Sequence, residues 1–293
     1  GMELVRSEGG LSWFVFTHSS LYAQSEQELE LCVQSADPNS LHGLLRTYPY
    51  QLDGLLLLAD YLGRTGQHEL ASEMVERALF GCEAALHPLC KPWLGTARLS
   101  WEEPANRPFL KALSRHMHNV ARRGCPRTAL ELGRLLLSLA PERDPLHACL
   151  HLDHFALSAA AAAPADASWV LRLPRAFPAQ GLLLYPNFSL SAAAALRVLG
   201  RAQAATTQLR RALLLFPAAL PLLAREALTD FPRAARLAAA WEEELGAAAR
   251  LGAAGATLRT LLELYATRHA ALWKAEREWL LGEGEALLGA LRR

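Results

Sequence analysis

His147, His151 and His154 recur at i, i+4 and i+7, with Asp153 beside the last of them, so a helix through this stretch would carry three imidazoles on one face. Such a set is able to hold zinc. No cysteine or carboxylate pattern of a recognised zinc site accompanies it. The reading adopted is therefore a partly exposed polar stripe, with no metal and no other cofactor expected. His116 and His118 stand two apart, a spacing that turns them away from each other on a helix. No GxSxG, HExxH, P-loop or dinucleotide glycine pattern occurs, and the glycines sit at turns or in the Ala-rich final third. No catalytic residue is expected, and the chain does not read as an enzyme.

Charge gives a second set of candidates. Arg122, Arg123 and Arg127 surround Gly124 as a compact basic turn, and Arg197, Arg201, Arg210 and Arg211 cluster further on. A solvated helix end, where cations meet a favourable dipole, competes here with a partner-docking patch. The acidic strings at 241–244 and 275–278 read as surface, and Tyr48, Tyr50, Tyr61, Phe109, Phe155 and Phe216 as core between helices.

The elements that would position these groups are helices. With 293 residues, 52% hydrophobic and 20% charged, the chain is able to bury a large core. Formal charge is only +1, which gives the chain as a whole little attraction for nucleic acid or an anionic membrane. The five cysteines include no CxxC pair, which fits reduced thiols of a cytosolic or nuclear protein, mostly acting as small apolar residues. No signal peptide is read at the start, and the most apolar run, 212–224, is too short to span a bilayer. The expectation is a soluble protein, and the Gly1-Met2 start is read as that of a fragment of a longer one.

Small residues at fixed spacing, followed twice by proline, fit the tetratricopeptide helix pair three times: Ala71, Val75 and Ala78; Ala129 and Pro141; Ala205, Leu209, Ala212 and Pro217. Small side chains let two antiparallel helices approach, and proline closes the second. Intervals of 58 and 76 positions separate Ala71, Ala129 and Ala205. Neither equals the roughly 34-residue repeat, so extra elements interrupt an irregular all-α solenoid. The expected layout is an extended lead-in over 1–18 and one α-solenoid domain over 19–293, irregular near 87–107 and 161–188. Leu21, Leu29, Leu31 and Val33 suggest an amphipathic first helix over 21–36. Residues 257–273 and 275–291 read as two closing helices, and the proline-broken segment 164–188 as an insertion.

Particular strings go further than periodicity. Residues 70–79 (LASEMVERAL) with 85–89 (ALHPL), and 123–131 (RGCPRTALE) with 138–141 (SLAP) and 144–146 (DPL), resemble the transcription factor 25 family, also called nuclear localised protein 1. So do 16–19 (FTHS), 48–53 (YPYQLD), 103–107 (EPANR), 152–157 (LDHFAL), 184–188 (LYPNF) and 264–274 (LYATRHAALWK). In order, they cover nearly the whole chain. The sequence departs from the family pattern at 159–180, which is Ala- and Pro-rich, and at 231–256, which lacks the family's proline- and glycine-containing loop. The family's lysine-rich amino-terminal region does not occur in this sequence.

The resemblance implies a subunit of the ribosome-associated quality control complex, the equivalent of yeast ribosome quality control complex subunit 1. It further implies work beside the E3 ligase listerin, ubiquitin, the nuclear export mediator factor and the valosin-containing ATPase on the large ribosomal subunit, in the cytosol and also the nucleus, as a scaffold without catalysis of its own. The family's name suggests the alternative of a transcriptional repressor acting through protein contacts, with no membrane and no direct DNA binding expected. Irregular loops held on a rigid stack commonly carry recognition. The candidate partner-binding residues are accordingly Arg122, Arg123 and Arg127 in the basic turn and His87, Trp93, Arg98, Trp101 and Arg107 in the loop.

Overall fold

Leu55, Leu58, Ala59 and Leu62 on one helix and Ala71, Val75 and Ala78 on the next are all buried, which shows how this sequence makes its helix pairs: small residues meet larger aliphatics across a close interface. The computed structural model describes residues 1–35, 37–141, 143–177, 181–246 and 255–293. The chain forms two compact units, Gly1–Leu152 and Asp153–Arg293, and the fold is all-α with one small sheet.

In the first unit, helices α1 (Ser20–Ser35), α2 (Pro38–Thr47), α3 (Leu52–Arg64) and α4 (His68–Ala84) are followed, after a loop, by α5 (Arg107–Arg122) and α6 (Pro126–Leu139). Each packs on the one before it, which is solenoid-like stacking. The turns are those that glycine permits: Gly66 and Gly124 have φ of +82° and +81°, and Pro126 opens α6 at its first position. Gly133 of α6 is a point of close approach, since a Cβ there would collide with Leu152 and meet the Met117 sulfur.

A sheet closes the start of this unit. Strands β1 (Met2–Glu8) and β2 (Leu11–Phe16) are an antiparallel hairpin around Gly9 and Gly10, both at positive φ, and β3 (Ala97–Leu99) lies parallel to β2. Phe14 and Phe16 are buried while Trp13 and Val15 are half-buried, a strand alternation hidden within four consecutive apolar residues.

The first helix forms where expected but not as an amphipathic one. Leu21, Leu31 and Val33 are exposed, whereas Ser25 is buried. The reason is polar docking: the Leu52 amide donates to the Tyr22 hydroxyl at 3.1 Å, and the Tyr48 hydroxyl donates to Glu28 at 2.8 Å. Tyr50 and Tyr61, expected in the core, are exposed too. Phe109, Phe155 and Phe216 are buried.

The second unit begins within α7 (Cys149–Ala159) and continues through α8 (Ser168–Ala176), α9 (Pro186–Val198), α10 (Ala202–Leu215), α11 (Ala219–Ala227) and α12 (Pro232–Leu245). It ends in α13 (Ala256–Arg268), α14 (Ala270–Ala275) and α15 (Arg277–Leu291). Leu209 and Ala212 of α10 are fully buried in its core, beside Trp241 and Trp273, and Ala205 is fully buried as well. The Trp241 indole donates to the Pro217 carbonyl at 2.9 Å. The segment 164–188, expected as an insertion, contains α8, because Trp169, Val170 and Leu173 give it a face to bury. The first of the two expected closing helices is broken at His269. Of the earlier expectations, Ala36 at the end of the first helix, residues 178–180 in the irregular segment and 247–254 in the divergent stretch lie outside the described residues.

Candidate partner interface and the network behind the second unit

The loop between α4 and α5 is ordered by a single asparagine. Asn106 is fully buried; its Oδ1 accepts from the Phe16 amide at 3.0 Å, and its Nδ2 donates to the carbonyls of Phe14 at 3.3 Å and Ser100 at 3.1 Å. It therefore ties β2 to the turn after β3. Next to it, Arg107 donates to the Trp101 carbonyl at 2.9 Å and lies over the indole at 5.6 Å. Arg98 donates to the carbonyls of Gly95 and Ala97, each at 2.8 Å. His87 accepts from the Leu89 amide at 3.1 Å and faces the Phe14 ring. Cys90 and Pro92 are buried beneath. Four of the five loop candidates thus hold the loop in shape, and the fifth, Trp93, is 75% exposed on its crest between exposed Leu89 and Leu94.

The basic turn stands apart from that crest. Arg122, Arg123 and Arg127 are all exposed around Gly124. Arg123 pairs with Glu76 of α4 at 2.9 Å, and Arg122 donates to Asn119 at 2.6 Å. Asn119 lies in the last turn of α5 and Glu76 at the middle of α4, so the turn is tethered to the stack.

A groove of about 350 Å³ opens on the same unit, lined by Arg6, Trp13, Arg98, Trp101, Leu139 and Arg143 among others. Arg6 lies over the Trp13 ring at 4.2 Å, and Arg143 pairs with Glu102.

The histidine stripe dissolves in the fold. Asp144 caps α7, accepting from the amides of Ala148 at 2.8 Å and Cys149 at 2.9 Å, and His147 sits before the helix at φ +53°. It is off the face that carries His151 and His154. His151 lies edge-on to His118, and His154 edge-on to His269. Among the described residues, no three His, Cys, Asp or Glu side chains are grouped so as to hold a metal. Burial pushes the thiols of Cys82 and Cys90 up to about 12 and about 11.

What the sequence did not single out is a buried polar network in the second unit. Asp153 is fully buried; Ser191 Oγ donates to it at 2.7 Å, Asn187 Nδ2 donates at 3.1 Å, and His269 Nε2 stands at 3.3 Å. The Trp273 indole donates to the Tyr265 hydroxyl at 3.1 Å, and that hydroxyl lies 3.4 Å from Ser191 Oγ. Burial works to raise the Asp153 carboxyl, but the adjoining His269 imidazole and the hydrogen bonds from Ser191 and Asn187 outweigh it and hold the carboxyl below the usual range. His154, alongside, is pushed down to about 4, first by burial and then by His269. Three of the strings that carry the family resemblance, 152–157, 184–188 and 264–274, each supply members. The legible signal was a polar residue set among apolar ones, as with Ser189 and Ser191 amid the alanines of α9.

No described helix is long and apolar enough to cross a membrane. No solved structure matches this chain. A human relative named ribosome quality control complex subunit TCF25 is 37% identical over 95% of this chain. A relative from Ampulloclitocybe clavipes named probable transcription factor claV is 31% identical over 89% of the chain, and ribosome quality control complex subunit 1 of Schizosaccharomyces pombe is 34% identical over 54%. The chain spans less than half the length of these relatives, 42%, 35% and 24% respectively. A family model described as transcriptional repressor TCF25 matches residues 14–292, and with nearly its whole length covered, the chain belongs to the TCF25 family.

Proposed function

We propose that this chain is a non-catalytic scaffold in ribosome-associated quality control, assisting listerin-dependent ubiquitination of stalled nascent chains on the large ribosomal subunit. The observation that carries the reading is the similarity, across 95% of the chain, to a relative named a subunit of that complex. Its partners on this reading are listerin, ubiquitin, the nuclear export mediator factor and the valosin-containing ATPase, and it works in the cytosol with a nuclear pool. Holding listerin and an acceptor ubiquitin so that one lysine faces the thioester supplies proximity and orientation, which needs rigidity and no acid or base of its own. Trp93 on its braced loop and the tethered Arg122, Arg123 and Arg127 turn are the surfaces proposed for contact. His87, Arg98, Trp101 and Arg107 fix the loop that presents Trp93.

A reconstituted listerin reaction with and without the chain tests this, reading product amount and linkage by mass spectrometry. The chain is expected to shift products toward one degradation-type linkage, and Trp93→Ser and Arg123→Ala to weaken the shift with melting temperature unchanged. Identical amount and linkage in both reactions would sink the scaffold reading. The family's description as a transcriptional repressor, and the fungal relative's name, favour a second reading in which the chain represses through protein contacts. Repression of a reporter by the tethered chain, with no effect in the listerin reaction, would select it.

A further inference from the structure

The groove of the first unit gathers groups from three places in the chain: Arg6 and Trp13 from the hairpin, Arg98 and Trp101 from β3 and the turn behind it, and Leu139 and Arg143 where α6 ends. Its volume, about 350 Å³, is that of a small ligand cleft. Among its described lining residues three arginines face one acid, Glu102. Its floor is fixed before any ligand arrives, because Asn106 and Arg107 occupy the carbonyls of Ser100 and Trp101. That preorganisation lowers the ordering cost of binding.

Two ligand chemistries suit arginine beside tryptophan. Single-stranded RNA needs open ring faces on which bases stack, yet Arg6 covers a face of Trp13 at 4.2 Å and Arg107 lies over Trp101 at 5.6 Å. A peptide carboxylate needs only the guanidinium N–H fork, and an apolar side chain needs only the ring edges and the half-buried Leu11. We infer that the groove docks a short acidic peptide segment of a partner protein, with a carboxylate on Arg6 or, in place of Glu102, on Arg143, and an adjacent apolar side chain against Trp13 and Leu11. This site is independent of the scaffold reading: it is defined by its own geometry, whichever complex the chain joins.

The test is fluorescence anisotropy on the full chain with a pool of labelled octapeptides alternating Asp or Glu with Leu, Ile, Phe or Trp. A pool carrying Lys or Arg in the acidic positions and an oligouridine serve as comparators. The acidic pool is expected to bind about tenfold or more tighter than the basic one, Arg6→Glu to weaken it about fivefold, and Arg6→Lys to retain most of the binding. Glu102→Gln, which frees Arg143, is expected to tighten binding about two- to threefold, a gain that a merely structural residue would not give and that keeps the test valid if Arg6→Glu disturbs folding. Equal binding of the two peptide pools, or indifference to both Arg6→Glu and Glu102→Gln, overturns the proposal. Oligouridine that binds more tightly and displaces the acidic pool assigns the groove to RNA and overturns it as well.

Discussion

Asp153 shows how one buried carboxylate organises a helical unit. Its oxygens are met by Ser191, Asn187 and His269 from two later helical segments, so Asp153→Ala leaves several buried polar groups short of partners and should cost about 2–4 kcal/mol in urea unfolding. His154 makes a prediction of opposite character. An unfolded chain takes up this proton near pH 6.5, the folded one only near 4. Between those values the unfolded state binds more protons, so stability is full above about 6.5 and is lost as the pH falls toward 4, by up to about 3 kcal/mol. Asp153, whose carboxyl is held low, contributes its loss only at still lower pH. Melting curves at intervals from pH 7 to pH 4 should therefore decline for the natural chain and flatten for His154→Gln; equal slopes for the two would remove His154 as the cause. None of this was legible in the histidine spacing, because the one histidine that breaks the stripe, His147, is turned away by the cap that Asp144 builds.

Among the secondary-structure elements, those joined by local signals were legible in the sequence and those joined by distant ones were not. The pair α3 and α4, and the turn into α6, announce themselves through small residues, glycine and proline within about 30 residues, the span of one repeat. By contrast, α1 docks through tyrosine hydroxyls, which leave no apolar periodicity, and β3 is three residues long and pairs with a strand far earlier in the chain. The candidate interface was half legible: proline and tryptophan marked the loop, but Asn106, which orders it, looks like any surface asparagine until its three bonds are seen. Removing it should loosen an element rather than unfold a unit. Asn106→Ala is expected to cost about 2–4 kcal/mol and to expose the loop to limited proteolysis, with cleavage falling within 87–105. Unchanged cleavage would mean that Arg107 alone suffices to hold the turn.

For the whole chain, charge decides more than shape. A formal charge of +1, with some arginines paired across helices as Arg233 is with Glu278 and Glu285, gives the chain as a whole little net attraction for phosphates. Duplex DNA should thus show no gel shift at about 150 mM salt, since binding that rests on phosphate contacts fades steeply with salt; a persistent shift would return the chain to the DNA-binding class. The sheet carries a different consequence, one of timing. The Phe16 amide and the Phe14 carbonyl wait for Asn106, which lies 90 and 92 residues further along, and β2 waits for β3 over a similar distance. At synthesis rates of about 5–20 residues per second, the hairpin leaves the ribosome with one side unpaired for about 5–20 s while four helices are made behind it. A chain with relatives named for ribosome quality control would then itself present, early in its own translation, an open strand that any pause after α4 would prolong.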